Sequence, residues 1–408
     1  MDGFFISKEY FTRMKELKNI IENYLNSYEK GGDYFYKFQK ELQQFTIKSE
    51  TSCFKNFIEI ILTFSIYKEK DVIEICNDIL NNIDKEEAQF NSKIDNGVKM
   101  GEFIDSSSPT IGIISALPKE RVAIISVLRK IEKEVINQDL IEILNQNFLE
   151  IGEIDSSNNK KHVIVVAGTS RMGNNSSAIR VTDLINLFPN IKLIINVGIA
   201  GGIPNPKNPS NHPRLGDIVI SENGIIQFDF QKVDIKNKEN RSPPRPPDSR
   251  VVRAIRELEE NELRGKKPWL EYIEKSIQNL GLNFNRPYHN TDILYSFDIN
   301  GNKNKVKHPI DRDREKGVPK IFRGRIGSSN TLLKDPIERD ILREEHNILA
   351  IEMEGSGVAD SAWEKGKGYL VIRSISDYCD PHKNDKWQNY CAVAAAAFTR
   401  ALIEYLPK

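Results

Sequence analysis

Apolar positions recur at helical spacing through the first 90 residues: Phe11, Met14, Leu17, Ile21, Leu25 and Tyr28 share one face, and Gly31-Gly32 ends the run. The same spacing predicts further helices from Tyr34 to Phe45, from Cys53 to Tyr67 and from Lys70 to Ile83. Residues 1–94 therefore read as a small all-α domain in which nothing marks a catalytic site. From Asp95 to Pro109, with Gly97, Gly101 and three consecutive serines, the composition is that of a linker.

Beyond the linker the period changes. Short β-branched runs appear at Ile111–Ile114, His162–Ala167, Leu193–Val197, Asp217–Ser221, Ile348–Ile351 and Tyr369–Ile372, and helical stretches at Lys119–Lys133, Ser176–Leu187 and Gly355–Lys365 lie between several of them. Continuous apolar strands alternating with helices predict an α/β fold: a central, mostly parallel or mixed sheet flanked by helices. Ligands of such sheets sit beyond the carboxyl ends of the strands. Polar and glycine clusters fall there: Glu120 after the first strand, Gly198–Gly202 after the third, Glu352 and Glu354 after the penultimate one, and Asp377, Asp380 and His382 after the last. Each alone is also explained by helix capping or a tight turn. Their repetition at corresponding strand ends points to a site.

A chain of 408 residues suits two domains, here 1–94 and 110–408. Lysine plus arginine and aspartate plus glutamate both number 58, so no global field favours a nucleic-acid backbone or an anionic membrane. Cys53, Cys76, Cys379 and Cys391 fit no zinc spacing and are too few for a disulfide framework. The longest apolar run, around Ile58–Ile66, is short for a membrane span, and the N-terminus lacks a signal-peptide pattern, so a cytoplasmic protein is expected.

The segments IGIISALPKER, INVGIAGGI, LGDIVIS, AIEMEGSGVA and VIRSISDY occur in that order. Together they resemble the nucleoside phosphorylase and nucleosidase superfamily over residues 110–407, apart from an insertion at about 232–325. Within it the chain resembles methylthioadenosine/adenosylhomocysteine nucleosidases and the ATP-nucleosidase-like effector domains of bacterial and fungal immune proteins. The C-terminal SDYCDPHKNDKWQNYCAVAAAAFTRALIEYLP, QFDFQK and the RIGSSNTLLKD that ends the insertion look most like the effectors. The resemblance implies a purine N-glycosidase, with ATP cleaved to adenine and ribose 5'-triphosphate, in a homo-oligomer. A toxic nucleotide-depleting enzyme needs control, and residues 1–94 are the expected place for regulation, oligomerisation or a regulatory protein partner.

Breaking a purine C1'–N9 bond passes through an oxocarbenium-like sugar, so the leaving base needs a proton at N7 and C1' needs a nucleophile. By resemblance Asp377 is the general acid, oriented by Ser376, while Glu120 activates water with Arg373 as its helper. Glu354 would grip the ribose hydroxyls, with Met353 packing on the sugar and Glu352 beside it. Gly198, Gly201 and Gly202 would line the substrate. Phosphorylases of the superfamily usually carry a hydroxyl residue in the glycine segment, where Ile199 stands here, which favours water over phosphate as nucleophile.

The 5' end is the open point. A polyphosphate needs arginine, lysine or backbone donors, and the insertion supplies Arg241, Arg245, Arg286, His308, Arg312, Arg314, Lys320, Arg323 and Arg325. Arg171, Arg312, Arg314 and Lys383 are the candidate phosphate contacts. The prolines of SPPRPPDS suggest a preset loop lying over the pocket. Asp380 and His382 form too small a cluster for a metal, the reaction needs no cofactor, and Trp387 is expected to pack. A housekeeping nucleosidase or phosphorylase, and a non-catalytic nucleotide-binding module, remain as alternatives.

Overall fold

The computed structural model describes residues 8–28, 76–77, 80–81, 104–105, 108–132, 135–234, 238–242, 245–297 and 302–408. The chain divides into two compact units, Met1–Phe103 and Ile104–Lys408. In the first, α1 (Lys8–Tyr28) buries Leu17, Ile21 and Tyr24, the i, i+4, i+7 stripe of an amphipathic helix. The helices expected at Tyr34–Phe45 and Cys53–Tyr67 lie outside the described residues. Of the one expected at Lys70–Ile83, residues 76–77 and 80–81 are described, and all four are helical.

In the second unit, β1 (Pro109–Ser115), β2 (Leu149–Asp155), β3 (Lys161–Gly168), β4 (Leu193–Gly202), β5 (Ile218–Ile220) and β6 (Ile225–Gln227) form one sheet with β11 (Ile321–Arg323), β12 (Arg325–Ser328), β13 (Ile348–Glu352) and β14 (Gly368–Asp377). Its main path runs β11-β5-β14-β4-β1-β3-β2. The central pairs β3/β1, β1/β4 and β4/β14 are parallel, whereas β2/β3, β13/β4 and β5/β14 are antiparallel, so the sheet is mixed. Two hairpins stand apart from it: β7 (Gln231–Val233) with β8 (Lys238–Asn240), and β9 (Leu294–Phe297) with β10 (Lys303–Val306).

Helices cover both faces. On one side α2 (Pro118–Val127), α5 (Ser249–Leu263), α6 (Pro268–Leu280) and α9 (Gln388–Ile403) enclose the larger core. The alanine-rich α9 is buried almost all round, as expected of a helix without a polar face. On the other side α3 (Gln138–Gln146) and α4 (Asn174–Leu187) enclose the second core, and α7 (Pro336–His346) and α8 (Gly355–Glu364) complete the layer. The close approach of α8 to α4 needs Gly357, where a Cβ would stand 2.0 Å from the Asn174 carbonyl oxygen.

Three expectations change. Ile104 and Pro109 belong to the second unit rather than to a linker: Ile104 is buried and bridges Ile136, and Pro109 opens β1. The first helix ends at Val127, not Lys133, because the backbone of Arg129 exchanges two hydrogen bonds with Glu153 and continues extended. Gly198–Gly202 is not a turn but the last half of β4, which takes up an antiparallel partner, β13, at Gly201 and Gly202.

Candidate functional site

The strand register brings the motif residues together. In the parallel pair β14/β4, Arg373 lies opposite Gly198 and Asp377 opposite Gly201. A Cβ on Gly198 would stand 2.3 Å from both Glu120 Oε1 and Arg373 Nη1, and one on Gly201 would stand 2.2 Å from Cys379 Sγ and 3.0 Å from Asp377 Oδ1. The glycines of β4 thus make room for two carboxylates. The strand positions they pack against, Gly198 and Gly201, are three residues apart, about 10 Å of extended chain.

Glu120 is 2% exposed and sits in the first turn of α2. Its Oε2 accepts from the backbone N–H groups of Ala116 (2.9 Å) and Leu117 (2.8 Å), and its Oε1 from that of Ile199 (2.8 Å). These bonds fix the carboxylate and leave Oε1 one further lone pair. The amide of Ile199 is thereby spent, so this part of the glycine segment gives its donor to the Glu120 carboxylate rather than to a bound phosphate. Both features that argued for water, Ile199 and Glu120, meet in one hydrogen bond.

Arg373, 1% exposed, is the only cation paired with Glu120, Glu352 and Glu354 among the described residues: its guanidinium bonds Glu352, lies 3.2 Å from Glu354 Oε2 and 4.0 Å from Glu120 Oε1. A single buried positive charge among several carboxylates leaves the cluster short of compensation. Burial raises Glu354 above the ordinary carboxylate range, to about 7; Arg373 opposes the shift and Glu352 adds to it. Glu354 Oε1 also accepts from the N–H of Gly173 at 3.0 Å. Nothing in the sequence beyond a glycine ahead of a helix marks Gly173, yet its φ of +115° delivers that amide.

Glu352 differs from the expected sugar contact. Its carboxylate accepts from the N–H groups of Glu354 (3.1 Å) and Gly355 (2.8 and 2.9 Å) besides bonding Arg373, so it fastens the start of α8 and holds the arginine. Met353, between the two glutamates, is half-buried.

At the end of β14, Asp377 Oδ2 accepts from Ser376 Oγ (3.0 Å) and lies 3.0 Å from Lys383 Nζ, while Oδ1 accepts from the Cys379 N–H (3.0 Å). Ser376 and Asp377 are thus hydrogen-bonded neighbours. Lys383 is paired to Asp377 and is not a free phosphate contact. Asp380 accepts from the His382 N–H at 2.7 Å, and the His382 ring packs on Tyr295 and Phe297. Trp387 is buried, as expected, with its Nε1–H donating to Thr291 Oγ1 at 3.2 Å.

Several basic side chains of the insertion are already paired within the protein. Arg314 grips Asp217 with two hydrogen bonds of 2.8 and 2.7 Å, Lys320 bonds Asp311, Arg323 bonds Glu262, and Arg325 donates to the His346 carbonyl. Arg314 is accordingly a structural clamp, because Asp217 is fully buried and needs its charge neutralised. Arg312 is exposed. The described part of SPPRPPDS does not cover the site: Arg245 accepts a hydrogen bond from Tyr369 and stacks on Trp363, and Asp248 packs on Gly368, all at the opposite end of β14 from Asp377.

Residues 110–293 match the family model described as the phosphorylase superfamily. A nucleotide-binding leucine-rich repeat (NLR)-like protein of Hyaloscypha variabilis is 30% identical over 302 residues, covering 72% of this chain and 29% of that protein. A 5'-methylthioadenosine/S-adenosylhomocysteine nucleosidase of Mycobacterium bovis is 25% identical over 310 residues, 73% of this chain and 97% of the relative. ATP nucleosidase Cap17 of Escherichia coli is 33% identical over 81 residues, 20% of this chain and 16% of that protein. The chain thus spans well under two thirds of the NLR-like relative and of the ATP nucleosidase. The match to the phosphorylase superfamily over residues 110–293 falls in the unit whose mixed sheet carries all five motifs.

Proposed function

We propose that the unit Ile104–Lys408 hydrolyses the N-glycosidic bond of a purine nucleotide, with ATP giving adenine and ribose 5'-triphosphate. The observation that carries this is Glu120: a buried carboxylate held by three backbone N–H groups, one of them from Ile199, which stands where phosphorylases of the superfamily usually carry a hydroxyl.

The ribose hydroxyls donate to Glu354, which Arg373 and the Gly173 N–H hold in place. As the C1'–N9 bond breaks, its electron pair passes to the base, and Asp377 gives its proton to N7. Water adds its oxygen to C1' and its proton to Glu120. One water is consumed, free base and a sugar 1-hydroxyl form, and the proton returns to Asp377 through solvent. The charge that develops on the sugar sits among carboxylates, an arrangement already in place before reaction.

The similarity to ATP nucleosidase Cap17 and to an NLR-like protein supports the nucleotide reading and a role in depleting nucleotides as an immune effector, with residues 1–94 in control and the enzyme acting as a homo-oligomer in the cytoplasm. Incubating the purified chain with ATP, dATP, AMP, methylthioadenosine and inosine, with and without phosphate, and quantifying free base by chromatography tests it. Adenine from ATP without phosphate is the expected result; base released only from unphosphorylated nucleosides, or only with phosphate, overturns it.

A further inference from the structure

Beside the acid cluster opens a cavity of about 530 Å³, within the ~300–1,000 Å³ usual for small-molecule sites. Its walls are continuous with the segments that hold the acids. Ala116 and Leu117, whose N–H groups bind Glu120, line it, and the lining segment Gly168–Arg171 leads within two residues to Gly173, whose N–H binds Glu354.

Three arginines line this cavity: Arg121 from α2, Arg180 from α4, and Arg171 from the loop between β3 and α4. Arg121 Nη2 donates to the Phe148 carbonyl at 2.8 Å and Arg180 Nη2 to the Asn147 carbonyl at 2.7 Å, so adjacent backbone carbonyls pin the two guanidiniums next to each other. In each the Nε is buried without a hydrogen-bond partner, and so is Thr169 Oγ1 on the same wall. Buried donors left unpaired cost about 1–3 kcal/mol each, and folded proteins rarely tolerate several in one place. The nearby anions are few: Asp183 on the lining, and Glu150, half exposed, 3.8 Å from Arg121 Nη2. Burial holds the Arg180 guanidinium below its ordinary value, with Asp183 opposing and Arg121 adding to the shift. Arg171 is exposed and has no partner among the described residues.

We propose that this cavity binds the 5' polyphosphate of the nucleotide, with Arg121, Arg171 and Arg180 as its cationic contacts and Thr169 as a hydroxyl donor. Guanidinium forks match phosphate oxygens in geometry and charge, and a multiply charged anion would relieve the repulsion between the pinned pair. Arg314, Lys320 and Arg323 of the insertion, by contrast, are already paired with carboxylates of the protein. The identity of the ligand rests on the nucleotide-hydrolase reading, whereas the anion site itself does not.

Calorimetry with inorganic tripolyphosphate on the full chain tests the site apart from catalysis. Wild-type protein is expected to bind it with salt-sensitive affinity, and Arg171→Gln and Arg180→Gln to weaken it about tenfold or more. In the same variants the ratio of kcat/KM for ATP to that for adenosine should fall by a similar factor. Arg180 also holds the Asn147 carbonyl, so a loss in its variant could follow from a loosened loop; Arg171 makes no such contact, and its variant keeps the test valid. No binding by the wild type, equal binding by the Arg171 variant, or an unchanged ATP-to-adenosine ratio in a chain that cleaves both overturns the proposal. Arginine-dependent binding in a chain that releases base from no nucleotide upholds the anion site and overturns the hydrolase reading.

Discussion

The carboxylate of Glu120 packs so closely against Gly198 that a methyl group there would stand 2.3 Å from its Oε1 and as close to Arg373 Nη1. Neither neighbour can yield freely, since Glu120 is held by three backbone N–H groups and Arg373 by its carboxylate partners. Gly198→Ala should therefore displace the carboxylate proposed to activate water while leaving the sheet formed. The expected outcome is a fall in kcat on the order of 100-fold, the usual cost of displacing a reacting group by about 1 Å, with a circular dichroism spectrum like that of the wild type.

In the proposed reaction Glu354 accepts from both ribose hydroxyls, which it can do only when ionised. Its carboxyl is raised to about 7, chiefly by burial, so below that pH it is protonated and one oxygen becomes a donor, and above it both oxygens accept. Substrate affinity should accordingly improve as pH rises through about 7. Steady-state KM across pH 5.5–8.5 checks this, and Glu354→Gln should bind more weakly and lose the pH step.

Asp217 is fully buried and accepts from Arg314 twice, from the Arg214 N–H at 2.7 Å and from the Lys320 N–H at 2.9 Å. Removing it leaves the Arg314 guanidinium uncompensated and two amides unpaired. Asp217→Ala should cost about 3–5 kcal/mol of stability, measured by denaturant unfolding. Arg314→Gln should do comparable damage, which a solvent-facing phosphate contact would not.

A chain of bonds runs from the Asn205 N–H to His212 Nδ1, from His212 Nε2 to His308 Nδ1 (2.9 Å), and from His308 Nε2 to the Asp292 carboxylate (3.3 Å). Because the amide of Asn205 donates, His212 Nδ1 carries no proton, and His212 must donate from Nε2. Burial, with His308 adding, lowers His212 to about 4. The unfolded chain therefore binds a proton near pH 6.5 that the folded one refuses until about 4, so stability is retained above 6.5 and lost as pH falls between these values. Melting temperature should decline over that window, and His212→Asn should remove part of the decline.

The α/β architecture and the placement of the acids were legible because continuous β-branched strands and strand-end carboxylates leave a local signal, as at Val371–Ile372 followed by Arg373 and Asp377. What the sequence hid depends on tertiary pairing. Glu352 and Glu354 are chemically alike, and only the start of α8 shows that the first fastens backbone there and the second reaches the Gly173 N–H. Gly198–Gly202 reads as a turn until the crowding of Glu120, Asp377 and Cys379 explains glycine in a strand. Arg121 and Arg180 lie within helical patterns where arginine is usually solvated. Their unpaired Nε atoms appear only once Asn147 and Phe148 are in place.

The central claim is that this site releases adenine from ATP by adding water, with Asp377 supplying the proton. The direct measurement is adenine formation from ATP in phosphate-free buffer by the wild type and by a folded Asp377→Asn protein. The account predicts steady adenine release by the wild type and a loss of about 10²–10⁴-fold in the variant. Release at the wild-type rate by Asp377→Asn, or none by the wild type unless phosphate is added, would contradict it.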